Sequence, residues 1–282
     1  MPEMATTQTA AYALTVADLL RKQAGTRAHA VALEDARGVM SYRELDRAAS
    51  RLAQALLVRG LRVGDRVAVL SENCREYLQL QLAAAKIGVV VACLNWRLAD
   101  AELTHCLRLV APSMVFVSAR HAPTLARIAH GVPQVVLIET QFDTFLAGVL
   151  EDDPRIDVDP EQGLVILYTS GTTGLPKGAV ISQRAMVARA MCFAAEYGIG
   201  PEHSYVAWSP LFHMAATDFS LATLMIGGKV VVQDGLDVDR LCVTIAAEPI
   251  GWLVAMPGMI DVLIDGLRRN ATRPRGVRVV GA

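Results

Sequence analysis

The segment that decides the fold reads Gly163-Leu164-Val165-Ile166-Leu167-Tyr168-Thr169-Ser170-Gly171-Thr172-Thr173-Gly174-Leu175-Pro176-Lys177-Gly178. Its first part is an apolar run with the length of a buried strand, and its second part is rich in glycine and hydroxyl residues. Glycine permits positive φ angles, so that successive backbone N–H groups can point inward around an anion. The segment therefore predicts a strand that ends in a phosphate-binding loop.

The side chains of this loop add further phosphate ligands. Lys177 supplies a positive charge, and charge-assisted hydrogen bonds contribute about 1.5–3 kcal/mol each. An ordinary surface loop is the alternative, but so many polar groups directly after a buried strand favour phosphate binding. Four hydroxyls can donate to phosphate oxygens or ligate a magnesium ion, namely those of Thr169, Ser170, Thr172 and Thr173.

The loop differs from the Walker A motif of P-loop kinases and ATPases. Counted from Gly171, the position where that motif requires a second glycine is Pro176, and Gly178 replaces the hydroxyl residue that follows the lysine. A generic P-loop kinase or ATPase is therefore the least favoured of the nucleotide-binding classes.

Helical and strand patterns alternate along the chain on both sides of the loop. Ser41 and Glu44 have the spacing of a capping box, and the helix that they begin is expected to end at Gly60. Residues 89–94 are apolar on both faces of a strand. Nearly continuous apolar strands between amphipathic helices predict an α/β fold of mostly parallel sheets covered by helices on both faces.

One acidic stretch punctuated by proline interrupts this alternation. Residues 151–163 read EDDPRIDVDPEQG, a composition typical of a domain boundary. We therefore expect two packed α/β subdomains, residues 1–158 and residues 159–282, with the phosphate loop in the second.

Composition and charge exclude several classes of protein. The 282 residues are 53% apolar and 20% charged with a mean hydropathy of +0.35, which excludes disorder. A net charge of −1 without a basic block argues against a nucleic-acid partner. No apolar run has the roughly 18 residues of a membrane span, and the N-terminus lacks a secretory signal pattern. Five cysteines without a Cys-x-x-Cys pair are expected to be buried and reduced, so we predict a cytoplasmic location.

Residues 168–178 resemble the signature loop of the adenylate-forming (AMP-dependent synthetase/ligase) superfamily. That superfamily includes acyl-CoA synthetases, aryl-CoA ligases, luciferases and peptide-synthetase adenylation domains. The resemblance runs from about Thr15 to Ala282, and it is strongest to the acyl-CoA synthetases. The other landmarks, in chain order, are residues 41–45, 64–68, Asn73, residues 94–98, 210–213 and 255–257.

The resemblance implies a two-step reaction. A hydrophobic carboxylic acid attacks the α-phosphate of Mg²⁺-ATP to form an acyl-adenylate, and the thiol of coenzyme A then displaces AMP. By this likeness the loop from Thr169 to Gly174 binds ATP, with Thr172 as a Mg²⁺ ligand, and Lys177 supports the loop or the leaving pyrophosphate.

The resemblance also implies an acyl pocket. His213 matches a family histidine beside the bound carboxylate, where it orients or gates the substrate. On an apolar helix, Asp218 either pairs with a polar substrate group or faces solvent. Most of the apolar residues around this pocket are expected to be ordinary core. The residues expected to line the pocket are His213, Met214, Ala215, Thr217, Asp218, Met256 and Gly258.

Some landmarks of the superfamily have no counterpart in these 282 residues. The Tyr-Gly-x-Thr-Glu segment, the ribose-binding aspartate, the hinge and the mobile C-terminal domain with its lysine are all missing. We therefore expect the N-terminal portion of an acyl-CoA synthetase, inactive in adenylation as an isolated chain.

Two alternatives to this interpretation stay open. One is an acyl-AMP ligase that feeds a carrier protein, and the other is a non-catalytic nucleotide- or acyl-binding module. The expected partner is a small carboxylic acid of undetermined identity, and a homodimer is left open.

Overall fold

The computed structural model describes residues 13–169, 174–256 and 258–281, in which strands and helices alternate. The strands are β1 Val31–Asp35, β2 Gly38–Ser41, β3 Arg66–Leu70, β4 Val90–Cys93, β5 Met114–Val117, β6 Gln134–Leu137, β7 Gly163–Thr169, β8 Lys177–Ser182, β9 Ser204–Ala207, β10 Lys229–Val232, β11 Ile250–Val254 and β12 Val277–Gly281. The helices are α1 Val16–Thr26, α2 Tyr42–Val58, α3 Arg75–Ile87, α4 Asp100–Val110, α5 Ala122–Arg127, α6 Ile138–Phe145, α7 Gln183–Tyr197, α8 Met214–Ile226, α9 Val238–Ala247 and α10 Met259–Arg269.

The strands form two six-stranded sheets. In one sheet the order is β6-β5-β3-β4-β7-β8, and in the other it is β12-β11-β9-β10-β1-β2. Neighbouring strands run parallel except at one edge of each sheet, where β8 is antiparallel to β7 and β2 is antiparallel to β1. The prediction of an α/β fold with mostly parallel sheets flanked by helices is confirmed.

The chain divides into two compact units that are discontinuous in sequence, unlike the expected subdomains 1–158 and 159–282. The reason is strand pairing. Residues after the acidic stretch complete the first sheet, because β7 pairs with β4, whereas the early β1–β2 hairpin joins the second sheet through β10. The first unit holds the described residues up to Arg21, Asp46–Ser71 and Glu76–Val187, and the second holds Lys22–Leu45, Glu72–Arg75 and the described residues from Ala188 onward.

Local signals place the start of α2 as predicted. The Glu44 carboxylate accepts hydrogen bonds from the backbone N–H (2.7 Å) and hydroxyl (2.7 Å) of Ser41, and the Ser41 hydroxyl accepts from the Glu44 N–H (3.3 Å). This reciprocal capping box satisfies N–H groups that have no partner within the helix. Gly60 follows α2 with a φ of 90°, a conformation that favours glycine.

Two elements were not predicted from the sequence. These are β8, which follows the loop after β7, and α6, which follows β6 directly. Four of the six residues of β8 are exposed, so this edge strand lacks the buried apolar run that predicts a strand.

Two further properties concern membranes and cysteines. Within the part of the chain that the structure describes, no helix combines the length and apolar character required to cross a membrane. The expectation of uniformly buried cysteines is wrong for Cys192, which is exposed on the outer face of α7, and for Cys74, which is only half-buried.

Candidate functional site

The glycine-rich loop connects β7 and β8 of the first unit as a hairpin. Thr169, the last residue of β7, is exposed and lies opposite Lys177, the first residue of β8, whose side chain is also exposed. Gly174 has a φ of 113°, which a side chain would strain. Both ends of the predicted phosphate loop are thus held by the antiparallel ladder. The predicted site residues Ser170, Gly171, Thr172 and Thr173 lie outside the described residues.

Helix α4 anchors the two strands that carry this loop. The Tyr168 hydroxyl donates to the carbonyl oxygen of Cys106 (3.2 Å), and His105 Nε2 donates to the carbonyl oxygen of Pro176 (3.1 Å). Burial raises the pKa of Tyr168, so the phenol stays a neutral donor. The sequence alone did not indicate this anchoring role of His105, because no local pattern links it to a loop 71 residues away.

Asn73 holds the segment that leads to His213 in the second unit. Its side-chain oxygen accepts a hydrogen bond from the Leu211 N–H (2.8 Å). The resemblance singled out Asn73, and the structure shows what it contacts. Its side-chain amide donates to the carbonyl oxygens of Ala207 (3.0 Å), Ser209 (2.8 Å) and Gln233 (3.1 Å).

His213 is the N-cap residue of α8. It is exposed, has extended backbone angles (φ −91°, ψ 145°) and packs its ring against Phe212 at a centroid distance of 4.4 Å. Thr217 is fully buried one turn later, and its hydroxyl donates to the carbonyl oxygen of Leu211 (2.6 Å). This hydrogen bond supports the segment before His213, and the expectation that Thr217 lines the acyl pocket stays a prediction.

The remaining predicted pocket residues follow two neighbouring strands. β9 and β11 are parallel, so the segments after them leave the same edge of the sheet. The Trp208 indole joins these segments by donating to the carbonyl oxygen of Val254 (3.2 Å). Met214 and Ala215 at the start of α8 are half-buried, whereas Met256 and Gly258 after β11 are exposed.

Asp218 is buried rather than facing solvent. Its carboxylate is 1% exposed and accepts a hydrogen bond from Arg189 Nε on α7 (2.5 Å). Burial raises the pKa of Asp218, and the adjacent Arg189 guanidinium opposes that shift. Of the two expectations for Asp218, exposure to solvent is excluded.

The arrangement of metal-ligating side chains bears on the expected Mg²⁺ site. Within residues 13–169, 174–256 and 258–281, no three His, Cys, Asp or Glu side chains come together in a group that could hold a metal ion.

A match to a known protein family identifies the family of this chain. The family model described as AMP-binding enzyme matches residues 20–282. The chain belongs to this family. The hairpin loop and the segment around His213 both lie within the matched residues.

Curated relatives of this AMP-binding enzyme chain are acid ligases. A feruloyl-CoA synthase from Amycolatopsis is 30% identical over 237 residues, which are 83% of this chain and 47% of the relative. The fatty acid–[acyl-carrier-protein] ligase ScoC of Streptomyces coeruleorubidus is 35% identical over 159 residues, covering 56% of this chain and 31% of that protein. The chain spans about half the length of the first of these relatives, and less of the second.

Solved structures share the fold. The inhibitor-bound N-terminal domain of FACL13 from Mycobacterium tuberculosis superposes with a TM-score of 0.87 at 25% identity, covering 94% of this chain and 69% of that chain. ATP-bound MatB from Rhodopseudomonas palustris gives a TM-score of 0.81 at 27% identity, covering 95% of this chain and 54% of that chain.

Proposed function

We propose that this chain binds ATP and a hydrophobic carboxylic acid as part of an acyl-CoA synthetase. The acid is activated as an acyl-adenylate with release of pyrophosphate, and coenzyme A then takes the acyl group as a thioester. The observation that carries this proposal is the glycine- and hydroxyl-rich loop between β7 and β8 in a chain that matches the family over residues 20–282.

The loop has to offset the negative charge of the triphosphate. Backbone N–H groups and hydroxyls from Thr169 to Gly174 would hold the β- and γ-phosphates, and Lys177 at the start of β8 would add a positive charge. His105 and Tyr168 hold the segments on either side of these donors, which would help to preorganise them before ATP binds. Mg²⁺ bound with ATP would neutralise part of the phosphate charge, and we assign Thr172 as its protein ligand.

The acid would bind at the edge of the second sheet where β9 and β11 end. His213 is exposed at the start of α8, which allows its ring to orient a carboxylate. Met214, Ala215, Met256 and Gly258 follow the same two strands and would surround the acyl group.

The acceptor of the acyl group distinguishes two versions of the proposal. The relatives include CoA ligases, such as the feruloyl-CoA synthase, and a fatty acid–[acyl-carrier-protein] ligase. We favour coenzyme A because most of the relatives at this level of similarity are named as CoA ligases. A carrier protein is the second candidate, supported by the 35% identity to ScoC.

Substitution of Lys177 tests the role of the loop. We expect Lys177→Ala to weaken ATP binding by the chain about 10- to 100-fold, the size of one charge-assisted hydrogen bond, as measured by calorimetry. Lys22→Ala, which removes an exposed lysine from α1, is the matched control and should leave ATP affinity unchanged. Equal affinities of Lys177→Ala and the unaltered chain would contradict the assignment.

A second measurement separates catalysis from binding. ATP–pyrophosphate exchange in the presence of acid reports adenylation, whereas calorimetry reports binding alone. In a protein with exchange activity, we expect Lys177→Ala to lower the rate by about 10²–10³-fold, the usual effect of removing one preorganised donor. Because the isolated chain is expected to be inactive in adenylation, ATP binding without exchange would favour a non-catalytic binding module only in a protein that also carries the C-terminal domain of the superfamily.

A further inference from the structure

An aromatic cluster lies between α7, α8 and β11 in the second unit. Phe193 and Tyr197 are four residues apart on α7, so both side chains are on one face of the helix. Phe219 of α8 stacks on Trp252 of β11 at a centroid distance of 4.2 Å, and Phe193 lies 4.9 Å from Phe219 and 5.7 Å from Trp252. Tyr197 meets Trp252 edge-on at 5.4 Å. These rings provide flat apolar surfaces on which another aromatic ring can pack.

An ion pair between the buried Asp218 carboxylate and the exposed Arg189 guanidinium borders the aromatic cluster. Arg189 lies one turn before Phe193, and its guanidinium carbon is 5.4 Å from the centre of the Phe193 ring. The same guanidinium bonds Asp218 Oδ2. The other carboxylate oxygen, Asp218 Oδ1, is buried and has no hydrogen-bond partner among the described residues.

Tyr205 presents a second buried polar group beside this pair. Its side chain is 1% exposed, and its ring centroid is 5.8 Å from that of Phe219. Burial raises the pKa of Tyr205, the nearby Ser209 hydroxyl opposes the shift, and the Asp218 carboxylate adds to it. The phenol is therefore neutral and lies within the field of Asp218.

Buried polar atoms without partners are rare in folded proteins, because each one forfeits its hydrogen bonds to water. Asp218 Oδ1 is such an atom, and its position beside an aromatic cluster calls for a hydrogen-bonding ligand or for ordered water. The ion pair restricts the kind of ligand. Since Arg189 already balances the charge of Asp218, a neutral donor suits Oδ1 better than a second cation.

We propose that the acid bound by this chain is a hydroxylated aromatic carboxylic acid, whose ring packs against the aromatic cluster and whose hydroxyl donates to Asp218 Oδ1. This inference rests on the proposed function, because it names the class of acid that the same chain activates. A saturated fatty acid would leave Asp218 Oδ1 without a partner, and a site built to bond a hydroxyl discriminates against analogues that lack one.

Calorimetry with three acids of nine carbons tests the substrate class. 4-Hydroxycinnamate, cinnamate and nonanoate are titrated into the chain with ATP present. We expect 4-hydroxycinnamate to bind about 10- to 100-fold more tightly than cinnamate, which corresponds to one hydrogen bond to a charged acceptor, and nonanoate to bind most weakly. Equal affinity for 4-hydroxycinnamate and cinnamate, or no binding of either acid, would overturn the proposal.

Asp218→Asn tests the acceptor itself. With its amide oxygen toward Arg189, the asparagine presents an NH₂ group where Oδ1 was, so we expect the preference for 4-hydroxycinnamate over cinnamate to fall to below about threefold. Asp143→Asn, an exposed position on α6, is the matched control and should keep the full preference. A full preference for 4-hydroxycinnamate in Asp218→Asn would exclude Asp218 as the acceptor. If Asp218→Asn does not fold, the comparison of the three acids in the unaltered chain still tests the proposal.

ATP binding distinguishes the two levels of failure. ATP binding without discrimination among the acids would defeat only the substrate class. Discrimination among the acids without any ATP binding would support the hydroxyl acceptor and defeat the proposed function.

Discussion

Lys86 is the most deeply buried cation of the first unit. Its side chain is 0% exposed, and its ammonium donates to Asp46 Oδ1 (2.7 Å) and Asp153 Oδ2 (2.9 Å). Arg21 Nε donates to the same Asp153 oxygen (2.6 Å). The four side chains join α1, α2 and α3 to the acidic stretch 151–163. A buried charge of this kind is tolerated only because its partners are in place.

Replacing Lys86 should therefore cost more than replacing a surface lysine. Removal of one partner of a buried ion pair typically costs about 3–5 kcal/mol, and we expect Lys86→Met to lie near the lower end because Arg21 still pairs with Asp153. Urea unfolding measures the loss. Lys22→Met, at an exposed position of α1, should change the free energy of unfolding by less than about 0.5 kcal/mol, and similar losses in both variants would contradict this account.

At the scale of elements, the turn between α8 and β10 depends on two glycines. Gly227 ends α8 with a φ of 103°, and its N–H donates to the carbonyl oxygen of Thr223 (3.1 Å). A Cβ on Gly228 would lie 2.3 Å from the backbone carbonyl oxygen of His203. Because that oxygen belongs to the backbone before β9, it cannot rotate away. The carbonyl of Gly228 also accepts the buried Tyr42 hydroxyl (2.6 Å).

We expect Gly228→Ala to destabilise the fold by about 1–3 kcal/mol, as overpacking does elsewhere. Gly25→Ala is the matched control with the opposite sign. Gly25 lies within α1 at an exposed position, and a Cβ there would meet nothing within 4 Å. Since alanine favours the helix by roughly 0.5–1 kcal/mol over glycine, this variant should be more stable than the unaltered chain. Thermal unfolding compares the two, and a stabilised Gly228→Ala would refute the close contact with His203.

At the scale of the whole molecule, each compact unit holds an aspartate that should make stability depend on pH. Burial opposes ionisation of Asp153, but hydrogen bonds from Arg21 and Lys86 outweigh it and hold the pKa of Asp153 well below the ordinary value of 3.8. In the second unit, burial likewise opposes ionisation of Asp35, and Arg75 outweighs it, so the pKa of Asp35 is also lowered.

A lowered pKa in the folded state means that the unfolded chain binds protons first as the pH falls. The stabilisation is therefore fully present above the ordinary pKa of 3.8 and is lost as the pH falls toward the lower folded-state pKa values. We expect the free energy of unfolding to decrease from about pH 5 to pH 2, as measured by urea unfolding at each pH. Asp153→Asn should be less stable at pH 7 and should flatten this decrease, whereas Asp143→Asn should retain it. An unchanged pH dependence in Asp153→Asn would exclude this network as a source of the effect.

Much of the architecture follows from short stretches of sequence. The capping box at Ser41 and the end of its helix near Gly60 are found where their local patterns predict them, because caps and helix-ending glycines act within a few residues. Strand β8 was missed because its exposed edge position leaves little apolar pattern. The expected boundary near residue 158 follows composition, whereas the units follow strand pairing across long separations.

The sequence by itself determined the α/β class, the order of most elements and the glycine-rich loop that points to the AMP-binding enzyme family. These features are encoded locally, in residue types and spacings that hold whatever the rest of the chain does. Only the tertiary structure decided that Asp218 is buried against Arg189, that His105 anchors the loop and that Asn73 holds the segment before His213. Those roles depend on partners 29, 71 and 134 residues away, which meet only when helices and parallel strands pack together.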